Sequence, residues 1–247
     1  MEKTHSLTQN QGKLLSILEY KGYKTILRKD LLKLISEYKI SENPKYLIKS
    51  MLLKKRLILI KKEHYIIIPM KSANKGADVT EFELNELFLE SSDYYIGLYN
   101  AFNLYGFTEQ IPNKLFIFNT RYSADRNILH YKFKYFKIKK DKLFGILKKY
   151  KYPYSDRERT IIDVLDYPEY LGGLNKIIPK LKDYNKEKLI DYAIRYNSVK
   201  IMKIAGYLTD SAKIYRILKN KGKLGYYTTV KKTRLNIIDK KWKIRMI

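Results

Sequence analysis

The residues whose types and spacing best suit a chemical role lie in one stretch, Asn43–Pro69. Between Glu42 and Glu63 this stretch carries seven lysine and arginine side chains and no acidic one. Clustered cations of this kind neutralise phosphate groups, so the stretch indicates a nucleic-acid partner. The alternative interpretation is an ordinary helix and hairpin with a solvated lysine face, because lysine is common throughout the chain.

Three helices and a hairpin are predicted to position these side chains. The apolar spacing predicts helices at residues 8–20 and 28–37, and a third helix that begins near Pro44 and continues toward Lys54. Thr8 suits the N-cap of the first helix, and Pro44 suits the first turn of the third. The apolar runs Leu57–Ile60 and Tyr65–Ile68 then predict a β-hairpin. This order predicts a winged helix-turn-helix, in which the third helix enters the DNA major groove and the hairpin lies on the backbone.

The side chains expected to contact DNA lie on the second helix, the third helix and the hairpin. They are Arg28, Lys29, Asn43, Lys45, Tyr46, Lys49, Ser50, Lys54, Lys61, Lys62 and His64. Most of the lysines are expected to bind phosphate, whereas Asn43, Ser50 and Lys49 are better suited to base edges. Tyr46 is explained equally well as a half-buried core aromatic. His64 is interpreted as a polar residue of the hairpin tip.

Composition limits the class of protein. The 247 residues carry a formal net charge of +26, which favours an anionic partner. The chain contains no cysteine and three histidines that lie far apart, so we expect no metal and no cofactor. No apolar run approaches the ~20 residues that span a bilayer, and the N-terminus lacks the apolar core of a signal peptide. We therefore expect a cytoplasmic protein with no membrane contact.

A change in charge predicts a domain boundary, with domains at 1–72 and 73–247. Residues 70–76 are polar and contain glycine, which is typical of a linker. Between Lys75 and Lys114 the charge inverts, with seven acidic and no basic residues. This acidic segment is interpreted as a solvated helix face, or as a surface that docks on a basic patch of the same or a neighbouring molecule.

The second predicted domain combines a mixed sheet with a helical segment. Leu115–Asn119 is continuously apolar and predicts a strand buried on both faces. Leu129–Ile138 alternates aromatic residues with lysines, which predicts a half-buried strand whose aromatics face the core. Four helices are predicted at about 174–182, 186–196, 198–207 and 210–220, and extended segments follow. The fold class is thus α+β, with a winged helix-turn-helix followed by an α/β C-terminal domain.

The segment Tyr154–Tyr170 also carries groups that could do chemistry. Ser155 and Glu158 have the spacing of a capping box, and Arg159 and Asp163 can pair across one helical turn. Its carboxylates would suit acid–base catalysis, but no metal-ligand spacing accompanies them. The sequence therefore predicts a structured helix rather than an active site, and a protein that is not an enzyme.

Three segments together resemble one known family. Residues 47–69, LIKSMLLKKRLILIKKEHYIIIP, are similar to the family pattern L-x-x-L-x-x-x-G-x-I … Y-x-x-x-P. Residues 93–120 are similar to Y-I-G-x-x-x-A-x-x-x-x-G-L-T-x-Q-x-P, and residues 155–174 to S-x-x-E-R-T-x-x-D-x-L-x-x-P-x-x-x-G-G. The chain resembles the AbiEi family, the antitoxins and transcriptional regulators of type IV toxin–antitoxin, abortive-infection systems. It departs from the family at Lys54-Lys55-Arg56, where a glycine usually precedes the wing.

The resemblance implies a DNA-binding N-terminal domain that represses its own operon through inverted repeats. It also implies a C-terminal domain that counters a nucleotidyltransferase-like toxin without a stable complex. The motif residues carried over are Ser155, Glu158, Arg159, Thr160 and Asp163. Inverted repeats allow either a homodimer or two monomers that meet on DNA. The alternatives are a nucleic-acid-acting enzyme and a non-catalytic RNA-binding protein.

Overall fold

The computed structural model has an α+β fold and describes residues 6–72, 76–89, 93–230 and 237–246. The chain divides into two compact units, Met1–Glu90 with Ile128–His130, and Ser91–Asn127 with Tyr131–Ile247. The predicted linker at 70–76 falls partly outside the described residues, since only 70–72 and 76 belong to them. Within the described ranges, no helix has the length and apolar character that crossing a membrane requires.

The first unit places four helices around a small antiparallel sheet. In chain order its elements are α1 (Gln9–Tyr20), β1 (Thr25–Leu27), α2 (Arg28–Glu37), α3 (Pro44–Leu53), β2 (Leu57–Lys61), β3 (His64–Ile67) and α4 (Glu81–Leu89). The strand order is β1-β3-β2, and both pairings are antiparallel. The central strand β3 thus joins the hairpin to a strand that precedes α2.

The predicted helices of this unit are confirmed, and local sequence explains their ends. Thr8 caps α1, and Gln11 completes a capping box with it. Gly22 follows α1 with φ of +72°, a conformation that glycine adopts readily. Strand β1 was not predicted, because three residues are too short to show a period. It forms only because Ile26 pairs with Tyr65 of β3.

A hydrophobic core holds the three N-terminal helices on the hairpin. Its fully buried members from the helices and from β2 are Leu14, Leu15, Leu18, Leu31, Ile35, Met51 and Leu57. These residues recur at helical spacing in α1, α2 and α3, so each helix buries one face and exposes the other.

The second unit contains a mixed sheet and a helical layer. Its elements are β4 (Tyr94–Ile96), α5 (Leu98–Leu104), β5 (Leu115–Asn119), β6 (Ala124–Ile128), β7 (Tyr131–Lys137), β8 (Ile146–Lys149), β9 (Tyr152–Ser155), α6 (Arg157–Asp166), α7 (Leu174–Ile177), α8 (Lys186–Tyr196), α9 (Val199–Thr209), α10 (Ala212–Asn220), β10 (Thr228–Val230), β11 (Ile237–Asp239) and β12 (Ile244–Met246). The larger sheet has the order β6-β7-β5-β4-β9-β8, and a smaller one has the order β10-β12-β11. The predicted helix at 174–182 is α-helical only over Leu174–Ile177, and one 3-10 turn, Ile178–Lys180, follows it.

Burial on the strands confirms one prediction and corrects another. Every residue of β5 is buried, as its continuous apolar character predicts. On β7, Phe133 and Tyr135 are buried as expected, but Phe136 on the opposite face is buried as well. The Phe136 ring stacks on Phe118, with ring centroids 4.8 Å apart. The prediction of a half-exposed strand was therefore wrong at Phe136, because aromatic side chains are buried on both faces of β7 at this point.

The turn before the hairpin contains a lysine in a left-handed backbone conformation. Lys55 has φ of +53°, in the left-handed region that favours glycine. In this chain Lys55 adopts that conformation, and the hairpin still forms after it.

We predict that Lys55→Gly stabilises the first unit. Removing the strain of an L-residue in the left-handed region raises the free energy of unfolding by about 1 kcal/mol. The greater entropy of glycine in the unfolded chain offsets part of this gain. The matched control is Lys33→Gly on the exposed side of α2, which should destabilise by about 1 kcal/mol. Urea unfolding of both variants provides the measurement, and equal destabilisation by the two glycines would contradict the prediction.

Candidate nucleic-acid interface

Helix α3 presents a cationic and partly apolar face to solvent. Leu47, Ile48 and Met51 are buried in the core of the first unit, which fixes the rotation of the helix. Lys45 and Lys49 consequently point outward and are exposed. Tyr46 is 70% exposed and Leu53 is 75% exposed, so Tyr46 is a surface aromatic and not a core residue.

The exposed lysines of α2 and α3 are available to an external partner. Among the described residues, no carboxylate lies within ion-pair distance of Lys29, Lys45 or Lys49. By contrast, Lys24 outside this face pairs with Glu83 at 3.4 Å. Unpaired surface lysines can bind phosphate oxygens without first breaking an internal ion pair.

Two residues predicted to meet base edges also hold α3 in place. Asn43 is the N-cap of α3, and its Oδ1 accepts a hydrogen bond from the Tyr46 N–H at 3.1 Å. The Ser50 hydroxyl donates to the Leu47 carbonyl at 2.7 Å. It also accepts from Gln11 Nε2 at 2.9 Å. The Ser50 hydroxyl is therefore engaged as donor and as acceptor within the chain, whereas Asn43 is exposed and engages its Oδ1.

A buried glutamine that the sequence prediction did not single out connects α1 to α3. Gln11 Oε1 accepts from Lys54 Nζ at 2.8 Å and from the Thr8 N–H at 2.9 Å. Lys54 also donates to the Ser6 carbonyl at 2.7 Å, so its ammonium is held against the start of the chain. The spacing of Thr8 and Gln11 was the only sequence signal for this contact.

The remaining predicted contacts are distributed along the hairpin and the start of α2. Lys62 is exposed at the hairpin turn, and His64 is half-buried as the first residue of β3. Lys61 Nζ donates to the Leu87 carbonyl at 2.8 Å, so it is engaged with α4. Arg28 is half-buried, and its backbone N–H donates to the Glu63 carbonyl at 2.7 Å.

A groove runs beside α3 along its contact with the start of α1. It has a volume of about 580 Å³. Its lining combines apolar and polar groups, from Thr8, Gln11, Tyr46, Ser50, Leu53 and Lys54. The exposed face of α3 is thus flanked by a concave surface that bears both hydrogen-bonding groups and exposed apolar side chains.

In the second unit, the structure corrects the predicted capping box on α6. The N-cap is Asp156, whose carboxylate accepts the Arg159 N–H at 2.8 Å. Ser155 ends strand β9, and its hydroxyl is buried 2.8 Å from the Thr160 hydroxyl. Because Ser155 pairs with Ile146 in the sheet, the helix begins one residue later than predicted, and Asp156 is its N-cap.

The predicted pair of Arg159 and Asp163 is confirmed, and it is completely buried. Arg159 Nη2 lies 3.0 Å from Asp163 Oδ1, with both side chains at 0% exposure. The Tyr95 hydroxyl accepts from Arg159 Nη2 at 2.6 Å and donates to Asp163 Oδ1 at 3.1 Å. The rings of Phe144 and Tyr196 lie 4.7 Å and 4.9 Å from the guanidinium carbon. The cation is therefore enclosed by aromatic faces.

A glycine permits the close approach of β4 to this pair. A Cβ on Gly97 would lie 2.9 Å from the Tyr95 ring and 3.0 Å from Asp163 Oδ2. Any larger residue would push α6 away from the strand. The structure thus joins the Tyr95-Ile96-Gly97 segment to the α6 segment, a contact that neither motif indicates alone.

The other carboxylates of α6 bind groups on and before α8. Glu158 accepts the Asn185 N–H at 2.9 Å and pairs with Lys188 at 3.0 Å. Lys188 also pairs with Asp156 at 3.1 Å, and the Tyr192 hydroxyl donates to Asp156 at 2.8 Å. Burial works to raise the pKa of Glu158, but the Asn185 N–H and the Lys188 ammonium outweigh it and lower the pKa. These acidic groups therefore attach α6 to α8.

Burial has the opposite net effect on Asp163. The loss of solvation raises its pKa to about 7, although the Arg159 guanidinium opposes the shift. Within the described residues, Asp163 Oδ2 accepts no hydrogen bond, which is consistent with a carboxylate that is poorly stabilised in its charged form.

Comparison with known proteins identifies a structure of similar fold but no matching family. No family model matches the sequence, and no curated protein matches it. Three chains of solved structures match. One is the crystal structure of the RV2827C protein from Mycobacterium tuberculosis, with a TM-score of 0.67 and 12% sequence identity. The match covers 97% of this chain and 92% of that chain, so the two proteins share an α+β fold over nearly their full lengths.

We predict that Arg159→Met destabilises the second unit by about 3–5 kcal/mol, because it leaves the Asp163 carboxyl buried without its cation. The double variant Arg159→Met/Asp163→Leu should recover a large part of this loss, because both charged groups are then gone. Denaturant unfolding of the single and double variants measures the coupling. Strictly additive effects would contradict a coupled pair.

We predict that Asp163 makes the stability of the protein fall as pH rises from about 4 to 7. Its folded pKa is raised to about 7. The folded state therefore holds a proton in this window that the unfolded chain has released. The difference in free energy of unfolding between the wild type and Asp163→Asn should consequently fall across the window. A difference that rises with pH would show that Arg159 keeps the carboxylate ionised. Asp191→Asn, at an exposed position, is the control.

Proposed function

We propose that this protein is a sequence-specific double-stranded-DNA-binding transcriptional regulator whose first unit is a winged helix-turn-helix. The supporting topology is α1-β1-α2-α3-β2-β3 with the strand order β1-β3-β2. In this arrangement α3 is the recognition helix and the β2–β3 hairpin is the wing. The observation that carries the proposal is the exposed, unpaired cationic face of α3 at Lys45 and Lys49.

The occupied polar groups of α3 determine which side chains would read sequence. The Ser50 hydroxyl hydrogen-bonds within the chain, so the proposed base contacts fall to Lys49, Tyr46 and Leu53 and to the exposed amide of Asn43. A lysine suits the O6 and N7 acceptors of guanine, and an apolar side chain suits the thymine methyl group. Lys45 and Lys62 would bind phosphate and contribute affinity more than sequence choice.

The second unit is proposed to be the regulatory domain of an AbiEi-like antitoxin. The support is the resemblance of residues 93–120 and 155–174 to the family segments, which meet in the buried contact between Tyr95 and Arg159. In this proposal the protein represses its own operon at inverted repeats in the cytoplasm and counters a nucleotidyltransferase-like toxin. It acts by binding and not by catalysis, because internal contacts engage Asp156, Glu158 and Oδ1 of the buried Asp163.

We predict that the protein binds duplex DNA from upstream of its own gene more tightly than random duplex of equal length at physiological salt. Gel-shift titration measures the preference, and footprinting on the same DNA reports the site and its symmetry. Equal affinity for both duplexes would contradict sequence-specific binding, and tighter binding of structured RNA would favour the RNA-binding alternative.

The same titration repeated over a range of salt concentrations tests α3 directly. Lys45→Gln/Lys49→Gln should lower the slope of log affinity against log salt by about two units, or about one for each lost phosphate contact. If Lys49 reads a base, the variant also loses preference for its own promoter. The charge-matched control is Arg216→Gln/Lys219→Gln on the exposed side of α10, which should retain the wild-type sequence preference.

A further inference from the structure

The turn of the β8–β9 hairpin contains two residue types that its backbone geometry disfavours. Lys149 pairs with Tyr152, so the loop consists of two residues, Tyr150 and Lys151. Both have positive φ, +49° and +66°. This is the geometry of a type I′ turn, for which asparagine followed by glycine is strongly preferred. Tyrosine and lysine are strained at both positions.

The strained turn places an aromatic ring in solvent. Tyr150 is 78% exposed, so burial does not offset the strain. Strained backbone at non-glycine residues clusters at functional sites, where the surrounding structure holds it in place. The tyrosine at this tip therefore indicates a contact outside the chain.

The charge around the tip indicates the chemistry of that contact. Lys148, Lys149 and Lys151 are all exposed, and no carboxylate among the described residues lies within ion-pair distance of them. The sequence contains no acidic residue between Asp141 and Asp156. Because neighbouring strand residues point to opposite faces, Lys148 and Lys149 put positive charge on both sides of the hairpin. The hairpin also lies at the edge of the six-stranded sheet, where β8 pairs with β9 and with no other strand among the described residues.

We propose that this hairpin is a second DNA contact, in which the three lysines bind backbone phosphates and Tyr150 lies against the sugars or a base step of the duplex. Positive charge on both sides of a narrow ribbon suits a polyanion with charge on two strands. A single polar aromatic at the tip is too little apolar surface for insertion into a lipid bilayer. The proposal rests on the DNA-binding function proposed above, and it adds a contact made by the second unit.

The test replaces the strained residues with those that the turn prefers. Tyr150→Asn/Lys151→Gly should raise the melting temperature of the full chain by about 3 °C, because the strain is removed. The same variant should bind the upstream duplex about tenfold more weakly, because a stacking group and a phosphate contact are lost. A melting temperature at or above that of the wild type shows that the variant is folded. Wild-type affinity in such a variant would overturn the proposal.

A second test of the hairpin contact removes the charges of its three lysines. Lys148→Gln/Lys149→Gln/Lys151→Gln should lower the salt slope by about two to three units, and Arg216→Gln/Lys219→Gln/Lys221→Gln should leave it unchanged. Equal slopes in the two triple variants would overturn the hairpin contact. If the hairpin variants bind as the wild type does while Lys45→Gln/Lys49→Gln loses sequence preference, only the hairpin contact fails. If the wild type binds no duplex, the proposed function fails as well.

Discussion

The second unit depends on one buried interaction, the guanidinium of Arg159 between Asp163 and the Tyr95 hydroxyl. A fully buried cation needs partners for its charge and its donors, and here the Asp163 carboxyl group, a phenol and two aromatic faces supply most of them. Among the described residues, only Arg159 Nη1 of this guanidinium has no hydrogen-bond partner. The contact holds α6 against β4, and it requires Gly97 at the point of closest approach. The carboxylates of Asp156 and Glu158 then connect the same helix to α8. Charge in this part of the chain therefore serves to position secondary structure.

Charge serves a different purpose on α3 and on the β8–β9 hairpin. Lys45 and Lys49 on α3, and Lys148, Lys149 and Lys151 on the hairpin, are exposed, and none of these five pairs with a carboxylate among the described residues. In a protein with a net charge of +26, such surfaces add electrostatic repulsion within the molecule. Binding of an anionic partner reduces this repulsion. Charged side chains that pair within the chain therefore maintain the fold, and exposed lysines that do not pair with a carboxylate are those proposed to bind DNA.

The N-terminal elements were predictable because their signals are local. Caps, proline in a first turn and helical spacing of leucines all act within about one or two turns, and they predicted α1, α2 and α3. Strand β1 and the buried Phe136 were not predictable in this way, because each depends on a neighbour distant in sequence. The capping box at Ser155 was wrong for the same reason, since pairing of β9 with β8 extends the strand through Ser155 and delays the helix.

The sequence by itself determined the helices of the first unit, the cationic stretch that follows Asn43 and the pairing of Arg159 with Asp163 four residues later. These follow from spacing along one helix and from side-chain charge. Only the tertiary structure decided that Tyr95 completes the buried pair, that Gln11 turns Ser50 inward, and that Tyr150 stands exposed on a strained turn. Each of these outcomes depends on which distant segments approach one another and on the backbone angles at the point of contact. A linear pattern of residue types contains neither quantity.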